Sequence, residues 1–294
     1  MVEEIKVSSI LNKHKKRDDW FLDDYSINPY KLCQFNCVYC YIRGSKYGEN
    51  MGERIAAKIN AVNVLSKSLR LRARKKEYGF IAVSSATEPW QPIEEKYRLT
   101  RGCLEVIMRY RFPVHVMTKS KLILRDIDLI KKIDMNAILP ADLKNKVKHG
   151  ALVTFSISVL DKSIAKIFEP GAPSPEERID TLQKIKEEGL SVGIAFIPVL
   201  PFISDSMEQL EEMIKISKDV SADYVFVGAL TLFGFGKRIY YSLIEKYFPE
   251  LLAKYKKLYG VHNYPSKQYQ RSLEAKAKKF CAKYGVKYKI IDYI

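Results

Sequence analysis

The stretch Cys33-Gln34-Phe35-Asn36-Cys37-Val38-Tyr39-Cys40 sets three thiols within eight residues, in the spacing C-x₃-C-x₂-C. The chain holds five cysteines, an odd number, and a bridge between such close neighbours would constrain little backbone. Crowded thiols in a reducing compartment point to metal instead, because thiolate is a soft ligand suited to an iron–sulfur cluster or to zinc. A structural zinc site is closed by four protein ligands. No fourth cysteine or histidine is close here, the nearest histidines in sequence being His14 and His115. Three thiolates therefore leave one coordination position open.

The string follows a candidate strand at residues 25–30 and so belongs at that strand's carboxyl end. Further short β-branched or apolar runs, at 80–85, 114–118, 153–159, 192–198 and 224–229, read as strands. They alternate with segments of helical period at 53–71, 94–110, 127–133, 175–188 and 207–220. Ser174 before Pro175 suits a helix entry and Gly189 its exit. Successive βα units predict an α/β fold with a partial (β/α)₆ barrel, whose chemistry belongs at the carboxyl ends of its strands. The same alternation also allows an open doubly wound sheet.

After Thr231 the pattern changes. Gly234 and Gly236 punctuate a loop, residues 237–258 and 266–284 read as two basic, tyrosine-bearing helices, and 287–291 as a short strand. The expected division is an N-terminal extension (1–24), the barrel (25–230) and a C-terminal helical extension (231–294) packed over the barrel mouth. Residues 134–150 show little periodicity.

Nearly half of the residues are hydrophobic, enough for a sizeable core. The start, Met1-Val2-Glu3-Glu4-Ile5-Lys6, is charged and lacks the apolar core of a secretory signal. The longest apolar stretch, 193–203, is interrupted by Pro198 and Pro201 and is too short to span a bilayer. A cytoplasmic protein with no membrane partner is expected. The net charge of +16 favours a polyanionic partner such as nucleic acid, although a thermophile-like surface would look the same. Basic runs occur at Lys13-His14-Lys15-Lys16-Arg17, at 70–76 and at 144–148. The C-terminal lysines interleave with Tyr255, Tyr259 and Tyr269, as suits a backbone with stacked bases, or form solvated helix faces.

The cysteine spacing, with aromatic Tyr39 before the last thiol, resembles the signature of the radical S-adenosylmethionine (SAM) superfamily. The resemblance implies a [4Fe–4S] cluster on Cys33, Cys37 and Cys40, with SAM chelating the open iron through its amino and carboxylate groups. An electron passed to the sulfonium would give methionine and a 5′-deoxyadenosyl radical that abstracts hydrogen from substrate. A low-potential donor such as ferredoxin or flavodoxin would supply the electron.

The likeness runs from about residue 28 to 229 and points to the spore-photoproduct-lyase-like branch, often labelled DNA repair photolyases. Four strings carry it. Ser84-Ser85-Ala86-Thr87-Glu88-Pro89-Trp90-Gln91-Pro92 is a hydroxyl-rich turn where many members have Gly-Gly-Glu, and Ser85 and Thr87 would face SAM's amino group. In Thr118-Lys119-Ser120, Lys119 resembles the partner of the SAM carboxylate, a role a compact cation can fill. In Phe155-Ser156-Ile157-Ser158, followed by Phe168-Glu169-Pro170-Gly171, strand alternation turns Ser156 and Ser158 to one side, toward ribose or methionine. Phe196-Ile197-Pro198 ends the fifth strand, where the family's backbone meets adenine. Tyr39 and Tyr41 match tyrosines of the lyase, Tyr41 one implicated in radical relay, which makes it the candidate catalytic residue.

One departure matters. The lyase returns a hydrogen atom from a cysteine in the turn after its second strand, and Ser85 stands there in this chain. A hydroxyl O–H bond is much stronger than a thiol S–H bond, so efficient spore photoproduct repair by that route is not expected. The remaining thiols, Cys103 and Cys281, read as core residues. The expected function is a radical SAM enzyme of lyase-like type acting on nucleic acid. The same chemistry on a peptide, protein or small molecule, an activase role, and a zinc-stabilised nucleic-acid-binding protein are the alternatives.

Overall fold

The computed structural model describes residues 2–45, 48 and 54–291. Strands β1 (Glu3–Ile5) and β2 (Asn12–Lys13) lead into β3 (Asp23–Ile27), β4 (Tyr30–Lys31) and β5 (Ala56–Lys58). Then come α1 (Ala61–Arg74), β6 (Phe80–Val83), α2 (Glu94–Tyr97), α3 (Leu99–Arg109), β7 (Val114–Thr118), α4 (Ile127–Asn136) and β8 (Ala151–Ser156). The chain continues through α5 (Lys162–Phe168), α6 (Pro175–Glu187), β9 (Ser191–Val199), α7 (Met207–Asp219) and β10 (Tyr224–Ala229). It ends with α8 (Gly234–Tyr247), α9 (Leu252–Tyr259), α10 (Lys267–Tyr284) and β11 (Lys287–Tyr288).

The principal sheet has the order β11-β10-β9-β8-β7-β6-β3-β2, parallel throughout except for β2 at its edge. Strands taken in chain order lie side by side, the arrangement of a partial barrel and not of a doubly wound sheet, in which the order reverses. No closure between the edges is present among the described residues. The central strands are buried on both faces, which explains their near-continuous hydrophobic runs. Val114, Val116, Val153, Phe155, Val192, Ile194, Val225 and Val227 pack outward against the helices in the main core. Phe80, Leu152, Ala195, Tyr224 and Phe226 pack on the other face, with Leu22, Leu143 and Val147. The weakly periodic segment before β8 thus supplies a plug at the amino ends of the strands.

Three expected helices differ, each for a local reason. Residues 94–110 are two helices, because Arg98 takes φ 50° and Glu94 turns its buried carboxylate onto the free N–H groups of Thr100 and Arg101 at the start of α3. Residues 237–258 break at Pro249, which lacks the N–H a continuous helix needs, so α8 and α9 are separated by a 3-10 turn. Of residues 53–71, residue 53 lies outside the described residues and 56–58 are β5, which pairs with β1 and β4 in a small second sheet. Helices α6 and α7 begin with reciprocal caps, Ser174 with Glu177 and Ser206 with Gln209.

The C-terminal segment has two placements. Helix α8 packs on the 3-10 turn Tyr41–Gly44 that follows the cysteines. Helix α10 instead lies beside α7 and β10, and β11 adds a parallel strand to β10. Leu273, Ala277, Phe280 and Cys281 of α10 join the main core. Among the described residues no helix is long and apolar enough to cross a membrane.

Candidate functional site

Every parallel strand from β6 to β10 ends at one cleft. Ser84 to Glu88 arrive from β6, Thr118 and Lys119 from β7, Ser156 from β8, Pro198 from β9 and Leu230 from β10, opposite Cys33, Cys37 and Cys40. Tyr39, Tyr41, Ser85 and Thr87 line the same cleft. Ser158 sits one layer behind. Strand β8 stops at Ser156, so alternation does not carry to Ser158, whose hydroxyl instead donates to the Tyr39 phenol oxygen at 2.9 Å. The Ile197–Pro198 peptide is cis.

The cysteine loop is irregular backbone held from two sides and braced from within. On the β6 side, Gln91 accepts from the Gln34 N–H at 2.9 Å while Gln34 accepts from the Ile93 N–H at 2.8 Å. That turn is anchored in its own right, because buried Trp90 donates its indole N–H to Asp126 at 2.8 Å. On the β8 side, the Val38 N–H bonds the Phe168 carbonyl at 2.8 Å, and the Gly171 N–H bonds the Phe35 carbonyl at 3.1 Å. A Cβ at Gly171 would stand 2.5 Å from the Gln34 carbonyl oxygen, so glycine is required for this approach. Within the loop, Arg43 donates to the Cys37 carbonyl at 2.9 Å, and Asn36 takes a left-handed φ of 53°.

A buried charge set lies beside the thiols. Glu169 accepts from the Tyr39 phenol and pairs with Arg178, both contacts being short. Arg178 also donates to the Ser156 carbonyl at 3.0 Å. Lys119 Nζ donates to Ser156 Oγ at 2.8 Å, lies 4.0 Å from Glu169 and stands 5.9 Å from the centre of the Tyr39 ring. Burial works against a charged Glu169, but Arg178 and Lys119 outweigh it and hold the carboxyl below its ordinary range. Glu88 is different. Its burial prevails over the bonds it accepts from Thr118 and from the N–H groups of Lys119 and Trp90, and its pKa is raised. Burial also pushes the Cys33 thiol up to about 11 and raises Cys37 and Cys40, as expected of thiols that only a bound cation would ionise.

Sequence reasoning missed Arg178 and left Glu169 without a role. The lysine-and-tyrosine pattern of the C-terminal helices misled it. Tyr255 and Tyr259 are fully buried, and Tyr269 donates to Asp205 at 2.6 Å, so these rings serve packing and are not free to stack on bases. Cys103 and Cys281 are both buried in the core, away from the cleft, as expected.

The family model of the radical SAM superfamily matches residues 27–215. The chain belongs to the radical SAM superfamily. This radical SAM enzyme is 27% identical over 266 residues to an uncharacterised protein of Mycobacterium bovis, covering 88% of this chain and 74% of that one. It is 26% identical over 211 residues to a protein of Pseudomonas phage M6 named a radical SAM Nalpha-GlyT isomerase, covering 67% of this chain and 39% of that one. In fold it resembles a spore photoproduct lyase mutant solved with AdoMet and dinucleoside spore photoproduct, with a TM-score of 0.66 at 15% identity, covering 96% of this chain and 78% of that one.

The residues of the radical SAM cleft fit the superfamily's cofactors. Among the described residues no three His, Cys, Asp or Glu side chains close around a single ion. A [4Fe–4S] cluster asks for no such convergence, since each thiolate binds a different iron atom. Ser84 Oγ and Thr87 Oγ1 are buried without a hydrogen-bond partner, and both line the cleft. Buried hydroxyls left unpaired are costly, and a polar ligand such as SAM would satisfy them.

Proposed function

We propose that this chain holds a [4Fe–4S] cluster on Cys33, Cys37 and Cys40, binds SAM in the adjoining cleft and acts on a nucleic-acid substrate. The reading is carried by one observation: three thiols, a lysine and two orphaned hydroxyls line a single cleft at the carboxyl ends of the strands. When bound, the cluster supplies the electron, drawn from a low-potential donor such as ferredoxin or flavodoxin, that cleaves SAM to methionine and a 5′-deoxyadenosyl radical. The chain's own residues bind, orient and exclude water. In this reading Lys119 pairs with the SAM carboxylate, its Nζ donating to Ser156 and lying 4.0 Å from Glu169. Ser84, Ser85 and Thr87 offer hydroxyls to the amino group, Ser156 to the ribose or methionine, and the Ile197–Pro198 backbone a wall for adenine. Tyr39, clamped through Ser158 and Glu169, fixes the backbone between Cys37 and Cys40.

Support for the nucleic-acid substrate is the positive charge and the fold shared with the lyase. The namesake repair reaction is not proposed. Ser85 lines the cleft, and Tyr41 donates to the Ser85 carbonyl at 2.5 Å, so besides the three ligand cysteines no thiol lines the cleft as described. Tyr41, half exposed at the rim, is the side chain there whose phenolic O–H is weak enough to yield a hydrogen atom. Anaerobic reconstitution tests the reading. We expect about four irons per chain and 5′-deoxyadenosine under dithionite, and loss of both when Cys33, Cys37 or Cys40 is changed to Ala. Stoichiometric zinc without SAM cleavage would refute it. Transfer of deuterium from labelled DNA or RNA into 5′-deoxyadenosine would support the substrate class, and transfer only from peptides would replace it.

A further inference from the structure

The three basic runs lie together at the end of the barrel opposite the cleft. Lys13-His14-Lys15-Lys16-Arg17 descends from β2 toward the start of β3, residues 70–76 close α1 and lead into β6, and residues 144–148 come just before β8. All three therefore flank the amino ends of the parallel strands, one strand length, roughly 15–20 Å, from the cleft. Ion pairs tie them into one surface. Lys13 stands 3.9 Å from Glu77, which also holds Arg72, while Arg17 pairs with Asp24 at 3.0 Å and reaches Asp142 beside the third run. Lys15, Lys16, Lys75, Lys76, Lys144 and Lys148 are exposed around these pairs.

Cations at a helix carboxyl end offset its dipole, which accounts for Arg72 and Arg74 of α1. It does not account for the first and third runs, which lie in a strand edge and in a connection. The runs contain no Phe, Tyr or Trp, so they offer no platform for stacking unpaired bases. Leu71 is their one exposed large hydrophobic side chain, and Leu143 and Val147 turn inward, so the face lacks the apolar anchors of a membrane-binding surface. What remains is the net positive charge of exposed Lys15, Lys16, Lys75, Lys76, Lys144 and Lys148, beside exposed Asp18, Asp19 and Asp142, with no Phe, Tyr or Trp in the runs.

We propose that this face docks the sugar-phosphate backbone of double-helical nucleic acid, as a second surface separate from the cleft. The docking stands apart from the reading of the cleft: a duplex held at the amino ends leaves the carboxyl ends open to whatever substrate the chemistry uses.

The test is anisotropy with the full chain and short labelled DNA and RNA duplexes across a salt series. We expect at least one duplex to bind with a Kd of roughly 1–100 µM at physiological salt, its logarithm rising linearly with that of the salt concentration. Lys15→Glu, Lys16→Glu, Lys144→Glu and Lys148→Glu combined should weaken binding roughly tenfold or more and flatten the slope by about two to four. The corresponding Gln set, which removes charge without adding repulsion, should move both in the same direction if the Glu set folds poorly. Lys254→Glu, Lys256→Glu and Lys257→Glu on α9 should change neither. Absence of salt-dependent duplex binding, binding indifferent to the four substitutions, or binding only to anionic lipid vesicles would each overturn the proposal. Iron content and 5′-deoxyadenosine formation should survive the four substitutions, so failure of the docking and failure of the radical reading are told apart.

Discussion

Glu169 and Arg178 form an ion pair almost without access to water, at 2% and 1% exposure. Breaking such a pair leaves the surviving charge uncompensated in the interior. Glu169→Gln should therefore lower stability by about 3–5 kcal/mol, read by denaturant unfolding. Joining it to Arg178→Met should recover part of that loss. Because Glu169 also anchors Tyr39, the single variant should take up less iron than the wild type even in the fraction that folds. Lys119 presents the opposite case. It is partly accessible and bound to Ser156, so Lys119→Ala should leave the fold intact. It should raise the KM for SAM roughly tenfold to a hundredfold, the worth of a charge-assisted hydrogen bond. The sequence exposed these residues unequally. Lysine at a strand end is conspicuous, whereas Arg178 occupies an ordinary position in the first turns of a polar helix. Only the packing of α6 against β8 turns it inward.

Among the elements, the connection after α5 determines how the cysteine loop sits. Gly171 meets Gln34 and Phe35 so closely that Gly171→Ala must displace one chain or the other. The expected outcome is a folded protein with reduced iron occupancy and slower SAM cleavage, checked by iron analysis beside circular dichroism. Strands β7, β8 and β10 share a second feature. Tyr224 lies 2.8 Å from Thr154 Oγ1, Thr154 lies 2.7 Å from His115 Nε2, and His115 Nδ1 lies 2.8 Å from the Phe21 carbonyl. A carbonyl can only accept, so Nδ1 carries the proton and Nε2 accepts from Thr154. Burial lowers the His115 pKa from 6.5 to about 4. The unfolded chain then binds the proton more readily than the folded one, and stability should fall as pH drops from about 6.5 toward 4. The full effect is roughly 3 kcal/mol. Denaturation midpoints measured across that range should show the slope, and His115→Gln should flatten it. None of this is legible in the local sequence, because a lone histidine in an apolar strand carries no sign of its partners.

For the molecule as a whole, the C-terminal segment from Gly234 onward divides between two tasks. Helix α10 and β11 continue the barrel's helical layer and sheet, while α8 and α9 stand behind the cysteine loop. A chain ended before α10 would expose the β10 edge and the core contacts of Leu273, Ala277 and Phe280. We expect it to lose cooperative thermal unfolding, not to behave as a trimmed but stable barrel. The charge is also divided. The cleft itself holds buried, paired charges, the opposite end gathers the three exposed basic runs, and the lysines of α9 lie exposed behind the cysteine loop.

The amino-acid sequence by itself determined the three thiols and their spacing, the order of strands and helices, and the strand ends that bear Ser85, Thr87, Lys119, Ser156 and Pro198. These are local signals: hydrophobic period, turn residues and ligand spacing act within a few residues and survive reading along the chain. Only the tertiary structure decided that Glu169 and Arg178 brace the cysteine loop and that Ser158 backs Tyr39. It alone showed that Tyr255 and Tyr259 are core and that runs far apart in sequence share the face away from the cleft. Those facts depend on which surfaces are brought together and which are excluded from water, and neither burial nor long-range pairing has a period in the sequence.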